Sequence, residues 1–376
     1  MGRFFYFWKK LILRVNLKIL LLLLLAKFSG YGQSASSIKS ANTINLLISK
    51  SVLIPHHDTL NPLKKGYINN YEISYSFGTT GNKNWHLAYK FPLVGLSAKV
   101  IDFNQHKVLG EAFSIYPFIV FRFTPDKRLF TFVRIGGGAA YLSKIYNSTK
   151  NPTNVAISNS LNFIGDIRLG IEYRLNSKVN INANMNGTHI SNGSYKKPNY
   201  GLNMIGFGAG INYTISTHEL HKSNYNESTI TPSAFRLTIM GGSKEVGNAG
   251  GAKYYPITLQ LAYVKAKNSL IKYGGAVDLI HDKSSKTHIQ ERNEIYSSPK
   301  HDFSLGIVSH VEFPFDRFSS FAELGLYLYK PNPHYPIAYQ RIGVYYRLSK
   351  IITLISSLRT HLTVAEQIDW GVVLTL

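Results

Sequence analysis

The chain has 376 residues, a formal charge of +22 and no cysteine. The absence of cysteine excludes disulfide bonds and thiolate metal sites. A large positive charge favours anionic partners, and since the sequence carries no nucleic-acid-binding motif, anionic lipid is favoured over nucleic acid.

The first 32 residues show the order of charge and hydrophobicity that is typical of a secretory signal peptide. Five basic residues lie within the first 18 positions, the apolar run Ile19–Ala26 follows, and Gly30 and Gly32 precede Gln33. The apolar run is too short to cross a bilayer as a helix. Residues 1–32 are therefore predicted to be a cleavable signal peptide of an exported protein.

The segments after the signal peptide are rich in tyrosine and alternate between apolar and polar residues. Tyr71 and Ile73, for example, alternate with Glu72 and Ser74. This pattern is typical of an outer-membrane β-barrel, whose apolar face contacts lipid and whose polar face lines the interior. Eight antiparallel strands are predicted within residues 33–214, near 43–54, 68–78, 84–93, 108–123, 129–146, 158–174, 178–191 and 201–214.

A polar segment at residues 215–232 interrupts this pattern, and eight further strands are predicted within residues 233–376. These strands lie near 233–243, 252–265, 268–280, 303–314, 318–330, 335–348, 350–361 and 366–376. Because periplasmic turns in barrels are short, an 18-residue polar segment fits a linker between domains better than a turn. The sequence predicts an all-β protein of two tandem eight-stranded transmembrane barrels, with one sixteen-stranded barrel as the alternative.

The two halves of the sequence resemble each other, as the copies of a repeat do. Residues 168–175 read RLGIEYRL and residues 341–348 read RIGVYYRL. In each half a lysine then precedes a histidine by eleven residues, His189 in the first half and His361 in the second. Matched motifs at matched spacing indicate a duplication. Because His361 follows the more polar face of its strand, it is predicted to face the barrel interior.

The segment Thr188–Gly201 reads THISNGSYKKPNYG and follows a strand in which asparagines alternate with apolar residues. His189 and Ser191 continue the apolar face, and residues two apart on a strand lie side by side. A base and its hydroxyl nucleophile need this placement. Since the apolar face of a barrel contacts lipid, the pair is predicted to face the bilayer, where an enzyme that cleaves a lipid ester would present it. In the second half, Thr363 stands in place of the serine.

Residues Thr188–Tyr213 resemble the lipid A 3-O-deacylases, which are outer-membrane barrel esterases, and the related acyloxyacyl hydrolases. The shared pattern is H-x-S-N at His189–Asn192, a short loop, P-N-x-G at Pro198–Gly201 and a final strand. The resemblance implies a carboxylic ester hydrolase that removes an acyl chain from lipid A or a related lipid of the outer leaflet, without a metal or another cofactor.

The resemblance also implies roles for individual residues. Ser191 would attack the ester carbonyl, and His189 would act as general base and then as general acid. Asn192 and Asn199 would donate hydrogen bonds to the developing oxyanion. The family's glutamate, twelve residues after the serine, is replaced here by Asn203, which can accept a hydrogen bond from the imidazole but carries no charge.

The replacement by Asn203 leaves two functions open. One is a slow or specialised serine esterase, and the other is a non-catalytic outer-membrane barrel with a structural, adhesin or transport role. Lys196 and Lys197, in the loop of the motif, are predicted either to contact a substrate phosphate or to be solvated. His56 and His57 are predicted to be solvated in an outer loop.

Overall fold

The computed structural model describes residues 40–220, 233–291, 293–332, 335–362 and 364–376. The predicted signal peptide and residues 221–232 of the predicted linker lie outside the described residues. No helix in the described part of the chain is long and apolar enough to cross a membrane.

The first barrel comprises eight antiparallel strands within residues 40–218, each paired with its neighbour in sequence. The barrel closes where β8 pairs with β1, so that Leu53 lies opposite Met204. Its strands are β1 Ser40–Leu53, β2 Ile68–Gly78, β3 Leu93–Gln105, β4 Gly110–Phe123, β5 Leu129–Leu142, β6 Leu161–Arg174, β7 Val179–Ser191 and β8 Leu202–His218.

The second barrel also has eight strands and closes where β18 pairs with β9. The prediction of two eight-stranded barrels is therefore confirmed, and the sixteen-stranded alternative is wrong. Its strands are β9 Ala234–Gly242, β12 Ile257–Ala266, β13 Lys272–His281, β14 Phe303–Phe315, β15 Phe318–Tyr329, β16 Ala338–Arg347, β17 Ile352–His361 and β18 Val364–Thr375. The ribbon of β10 (Lys244–Glu245) and β11 (Lys253–Tyr254) lies outside the barrel sheet.

Short helices occur between the strands, and one of them corrects a predicted strand. The segment predicted as a strand at 84–93 begins with the α-helix Asn84–Ala88, and β3 lies immediately beyond it. The inward face of β3 changes along the strand: Ser97 and Lys99 are buried polar residues, whereas Ile101 and Phe103 join an apolar core. The other helices are Ser285–Glu291 and the 3₁₀ turns Asp58–Leu63 and Pro299–Asp302. Strand β8 also runs four residues into the predicted linker.

The outward faces of both barrels are apolar, and the interiors are charged. Large apolar side chains are exposed all around the first barrel, including Phe207 at 72%. Its interior holds paired charges, with Lys99 Nζ 2.9 Å from Asp166 Oδ2 and Arg134 Nη1 2.7 Å from Glu72 Oε1. Soluble proteins have the opposite arrangement, whereas a transmembrane barrel has this one.

An apolar core fills one end of the first barrel, beneath the candidate site. Ile190 and Leu202 lie opposite each other on β7 and β8, and both are fully buried in this core. Leu60 and Leu63 of the first 3₁₀ turn pack into the same cluster. The strand ends that carry the site residues are therefore held by packing from within.

The repeat can be aligned by strand pairing. Arg168 pairs with Asn186 across β6 and β7, and Arg341 pairs with Arg359 across β16 and β17. The two hairpins thus have the same turn length. The alignment of the two halves by strand pairing differs by one residue from the alignment based on the matched lysines.

His361 consequently occupies the position of Thr188, not that of His189. Because a shift of one residue moves a side chain to the other face of a strand, His361 points inward. Its Nε2 lies 3.0 Å from the Tyr327 hydroxyl and its Nδ1 lies 3.2 Å from Glu366 Oε2. The predicted interior position of His361 is confirmed, and its alignment with His189 is wrong.

Candidate active site

Strands β7 and β8 bring a hydroxyl, an imidazole and an amide together. His189 lies directly opposite Asn203 in the strand register. Its Nδ1 is 2.6 Å from Asn203 Oδ1, and its Nε2 is 3.0 Å from Ser191 Oγ. The imidazole therefore lies between a potential nucleophile and a group that orients it, which is the arrangement of a hydrolytic triad.

The hydrogen bonds define the tautomer of His189. The carbonyl oxygen of Asn203 can only accept, so Nδ1 of the imidazole donates to it. Nε2 then carries a lone pair and accepts the hydrogen bond of the Ser191 hydroxyl. A general base that takes a proton from serine needs this tautomer.

The pair is set at the edge of the outward face of β7. Ile181 and Met185, which share this face with His189, are 42% and 38% exposed. Ser191 itself is only 3% exposed. The hydroxyl is thus shielded from bulk water, and it lies at the end of the apolar outward face of β7.

The glycine of P-N-x-G, Gly201, lies close to His189 and Ser191, which explains why a side chain is absent there. Gly201 has φ +73°, a conformation that favours glycine. A Cβ atom there would lie 3.1 Å from His189 Cε1 and 3.4 Å from Ser191 Cβ. A side chain at this position would press against both groups.

The loop of residues 192–201, here called the motif loop, is held by Asn192. The side-chain amide of Asn192 donates to the carbonyl oxygen of Lys196 at 3.0 Å and to Ser158 Oγ at 3.4 Å. Its backbone N–H donates to Asn199 Oδ1 at 3.1 Å. The Asn192 amide is therefore engaged inside the loop.

Asn199 differs from Asn192 because one of its amide atoms has no partner. Its Oδ1 is fixed on the peptide that follows Ser191, whereas its Nδ2 is buried without a hydrogen-bond partner among the described residues. Buried donors are nearly always paired in folded proteins. An unpaired donor in the loop that follows a serine is the type of group that can stabilise an oxyanion.

The two lysines of the motif loop have different surroundings. Lys196 is exposed, whereas Lys197 is half-buried. Burial lowers the pKa of Lys197, and Glu291, which precedes β14, opposes that shift. Among the described residues, no group of three or more acidic or histidine side chains is placed to hold a metal ion.

His56, which was predicted to be solvated, contacts the site. Its Nδ1 lies 2.9 Å from Asn203 Nδ2, and the N–H of Ile54 donates to the Asn203 carbonyl at 2.8 Å. The adjacent His57 ring stacks on Tyr200 of the motif loop, with centroids 4.6 Å apart. Barrel closure could have indicated this contact, because it places the end of β1 beside the start of β8.

The fold and the site define a tandem barrel protein of the outer-membrane type with a hydrolytic triad arrangement. Two family models match its two halves. The lipid A 3-O-deacylase model matches residues 69–212, and the model for the C-terminal domain of acyloxyacyl hydrolase matches residues 233–376. The chain belongs to this family of lipid A 3-O-deacylases and acyloxyacyl hydrolases, a membership that implies lipid A deacylation.

No curated protein matches the chain. Among solved structures, Neisserial surface protein A is 10% identical, and the match covers 48% of this chain and 100% of that one, with a TM-score of 0.32. The N-terminal β-barrel domain of Pseudomonas aeruginosa OprF is 15% identical, and the match covers 46% of this chain and 99% of that one, with a TM-score of 0.28.

Proposed function

We propose that the first barrel hydrolyses an ester-linked acyl chain of lipid A, or of a related lipid of the outer leaflet, with Ser191 as nucleophile. The observation that carries this proposal is the position of His189, 3.0 Å from the serine hydroxyl and 2.6 Å from Asn203. Family membership supplies the substrate class. The apolar outward face supports a location in the outer membrane, where the lipid reaches the site by lateral diffusion.

The reaction follows from this geometry in two steps. Ser191 Oγ attacks the ester carbonyl carbon while His189 Nε2 takes the hydroxyl proton, and His189 then protonates the departing sugar oxygen. A water molecule, deprotonated by His189, next hydrolyses the acyl-enzyme. The products are the free fatty acid and the deacylated lipid, and the serine regains its proton.

The exposed Lys196 of the motif loop is proposed to contact a phosphate of the lipid headgroup. An ammonium group and a phosphate form a strong, charge-assisted hydrogen bond. The half-buried Lys197 is a weaker candidate for this contact, because Glu291 and Glu245 already act on its charge.

The test of the proposed function is mass spectrometry of lipid A from cells that produce the chain and from cells that do not. We expect the loss of one acyl chain and the appearance of the free fatty acid in producing cells. Unchanged lipid A would favour the non-catalytic barrel. A wide transport channel is disfavoured in either case, since side chains fill the interior of an eight-stranded barrel.

The oxyanion role proposed for Asn199 predicts that Asn199→Asp lowers kcat by about 10²–10³. The aspartate keeps an acceptor for the N–H of Asn192 but removes the unpaired donor and adds a repelling charge. The kcat of the purified protein measures this effect.

Asn147→Asp is the matched control for this prediction. Asn147 Oδ1 also accepts backbone N–H groups, those of Thr149 and Lys150, in another loop of the same barrel. This variant is expected to keep the wild-type kcat. Equal rates for the two variants would remove Asn199 from the mechanism.

A further inference from the structure

The site extends beyond the triad to a fourth side chain. Asn203 Nδ2 donates to His56 Nδ1 across 2.9 Å, while Asn203 Oδ1 accepts from His189. Ser191, His189, Asn203 and His56 therefore form one continuous chain of hydrogen bonds. The chain joins the ends of three strands, β1, β7 and β8.

An asparagine at this position needs to be oriented, and a carboxylate does not. The two oxygens of a carboxylate are equivalent, whereas an amide has an acceptor at one end and a donor at the other. A turned Asn203 would present its N–H to Nδ1 of His189. The imidazole proton would then lie on Nε2, and Nε2 could not accept the proton of Ser191.

We propose that His56 is a positioning residue for deacylation, which keeps the carbonyl of Asn203 toward His189, and that protonation of His56 switches the site off. This inference rests on the proposed function. A neutral imidazole offers Nδ1 as an acceptor for the Asn203 amide, whereas a protonated imidazole has only donors. Protonated His56 therefore favours the turned amide.

The surroundings of His56 are consistent with a neutral ring near pH 7. The titratable groups that act on it are His189 of β7 and His57 of its own loop. Burial, and then these two histidines, lower the pKa of His56. Deacylation is therefore expected above the pKa of His56 and is lost as the pH falls below it.

The experiment is the dependence of kcat/KM on pH, measured with the full-length protein and lipid A in detergent micelles. Wild type requires both His189 and His56 to be neutral, so log kcat/KM should fall on the acid side with a slope of about 2. His56→Leu and His56→Asn should both show a slope of about 1. His56→Asn should also keep more of the rate at alkaline pH, because its carbonyl is an acceptor that does not titrate.

Two controls separate orientation from a merely structural role. His57→Leu alters the same loop without removing the contact with Asn203, so its acid slope should stay at about 2. In an Asn203→Asp background, adding His56→Leu should no longer change the acid slope. An acid slope that His56→Leu leaves unchanged in an active enzyme would overturn the inference, whereas an inactive wild type would instead overturn the proposed function.

The second barrel also contacts the motif loop. The Ser194 carbonyl accepts from the Glu245 N–H at 2.9 Å, and Ser194 Oγ donates to the Ala365 carbonyl at 2.7 Å. Lys253 Nζ lies 3.7 Å from the centre of the Tyr195 ring. The loop that follows the nucleophile is thus held by β18 and by the β10–β11 ribbon.

Gly193 of this loop packs closely against the second barrel. It has φ +61°, and a Cβ atom there would lie 2.5 Å from Ile368 Cγ1. The residue lies between Ser191 and Asn199. A shift of the loop at this point would move the unpaired Asn199 donor relative to the serine.

We infer that the second barrel positions the motif loop for deacylation. This inference also rests on the proposed function. Gly193→Ala should lower kcat about tenfold or more, since small misplacements of catalytic groups are costly. Ile368→Ala in the same chain should restore part of that loss, because it removes the atom that the new methyl group meets.

Val372→Ala is the matched control on the same face of β18, where Val372 is exposed. It should not restore the activity of Gly193→Ala. If Ile368→Ala also fails to restore it, the defect is backbone strain at residue 193 and the inference is wrong. Heat-dependent migration on gels would show that each variant forms its barrels.

Discussion

Replacing Ser191 with alanine is expected to abolish deacylation and to leave the barrel assembled. The variant removes the atom that attacks the ester, and losing the nucleophile of a serine triad lowers kcat by about 10⁶ in a well-studied hydrolase. The cost to folding should be small, because among the described residues the hydroxyl makes one hydrogen bond, to His189, and such a bond contributes about 1 kcal/mol. The measurement is the release of free fatty acid from lipid A by the purified protein.

Ser97→Ala is the control for that measurement. Ser97 is as buried as Ser191 and lies inside the same barrel, but its hydroxyl has no hydrogen-bond partner among the described residues. Activity should be retained in Ser97→Ala and absent in Ser191→Ala. Comparable activity in the two variants would exclude Ser191 as the nucleophile.

The local pattern of the sequence predicts most of the fold. Strands whose two faces differ, such as β2 and β6, alternate clearly, because one face meets lipid and the other meets paired charges. Strand β3 alternates less clearly, since its inner face carries Ser97 and Lys99 over one part and Ile101 and Phe103, which join the apolar core, over the next. A residue count along the chain also misplaces His361 by one position, and only the pairing of Arg341 with Arg359 corrects it.

Some features of the candidate site can be predicted from the local sequence, and others depend on the fold. The spacing of His189 and Ser191 is local, so the sequence predicts that they lie together. The contact of His56 with Asn203 joins residues 147 positions apart and depends on the closure of the barrel. The different surroundings of Asn192 and Asn199 are likewise invisible in the motif, because they depend on how the loop folds back on itself.

The second large effect is expected at Asn203. Asn203→Leu removes the group that fixes the tautomer of His189, and kcat should fall by about 10³–10⁴, the scale of a wrong tautomer in serine enzymes. The barrel should tolerate leucine, because Asn203 lies on the outward face of β8 with Ile205, which is 41% exposed. Release of fatty acid at pH 8, with gel migration as the test of folding, measures this effect.

Asn203→Asp is expected to have the opposite effect. The carboxylate would accept the same hydrogen bond from His189 and would add a charge that stabilises the imidazolium formed during the reaction. Its kcat should exceed that of the wild type, because the native amide already supplies the correct orientation and lacks only the charge. A lower kcat in Asn203→Asp would show that the amide itself is required, and a wild-type rate in Asn203→Leu would exclude residue 203 from the triad.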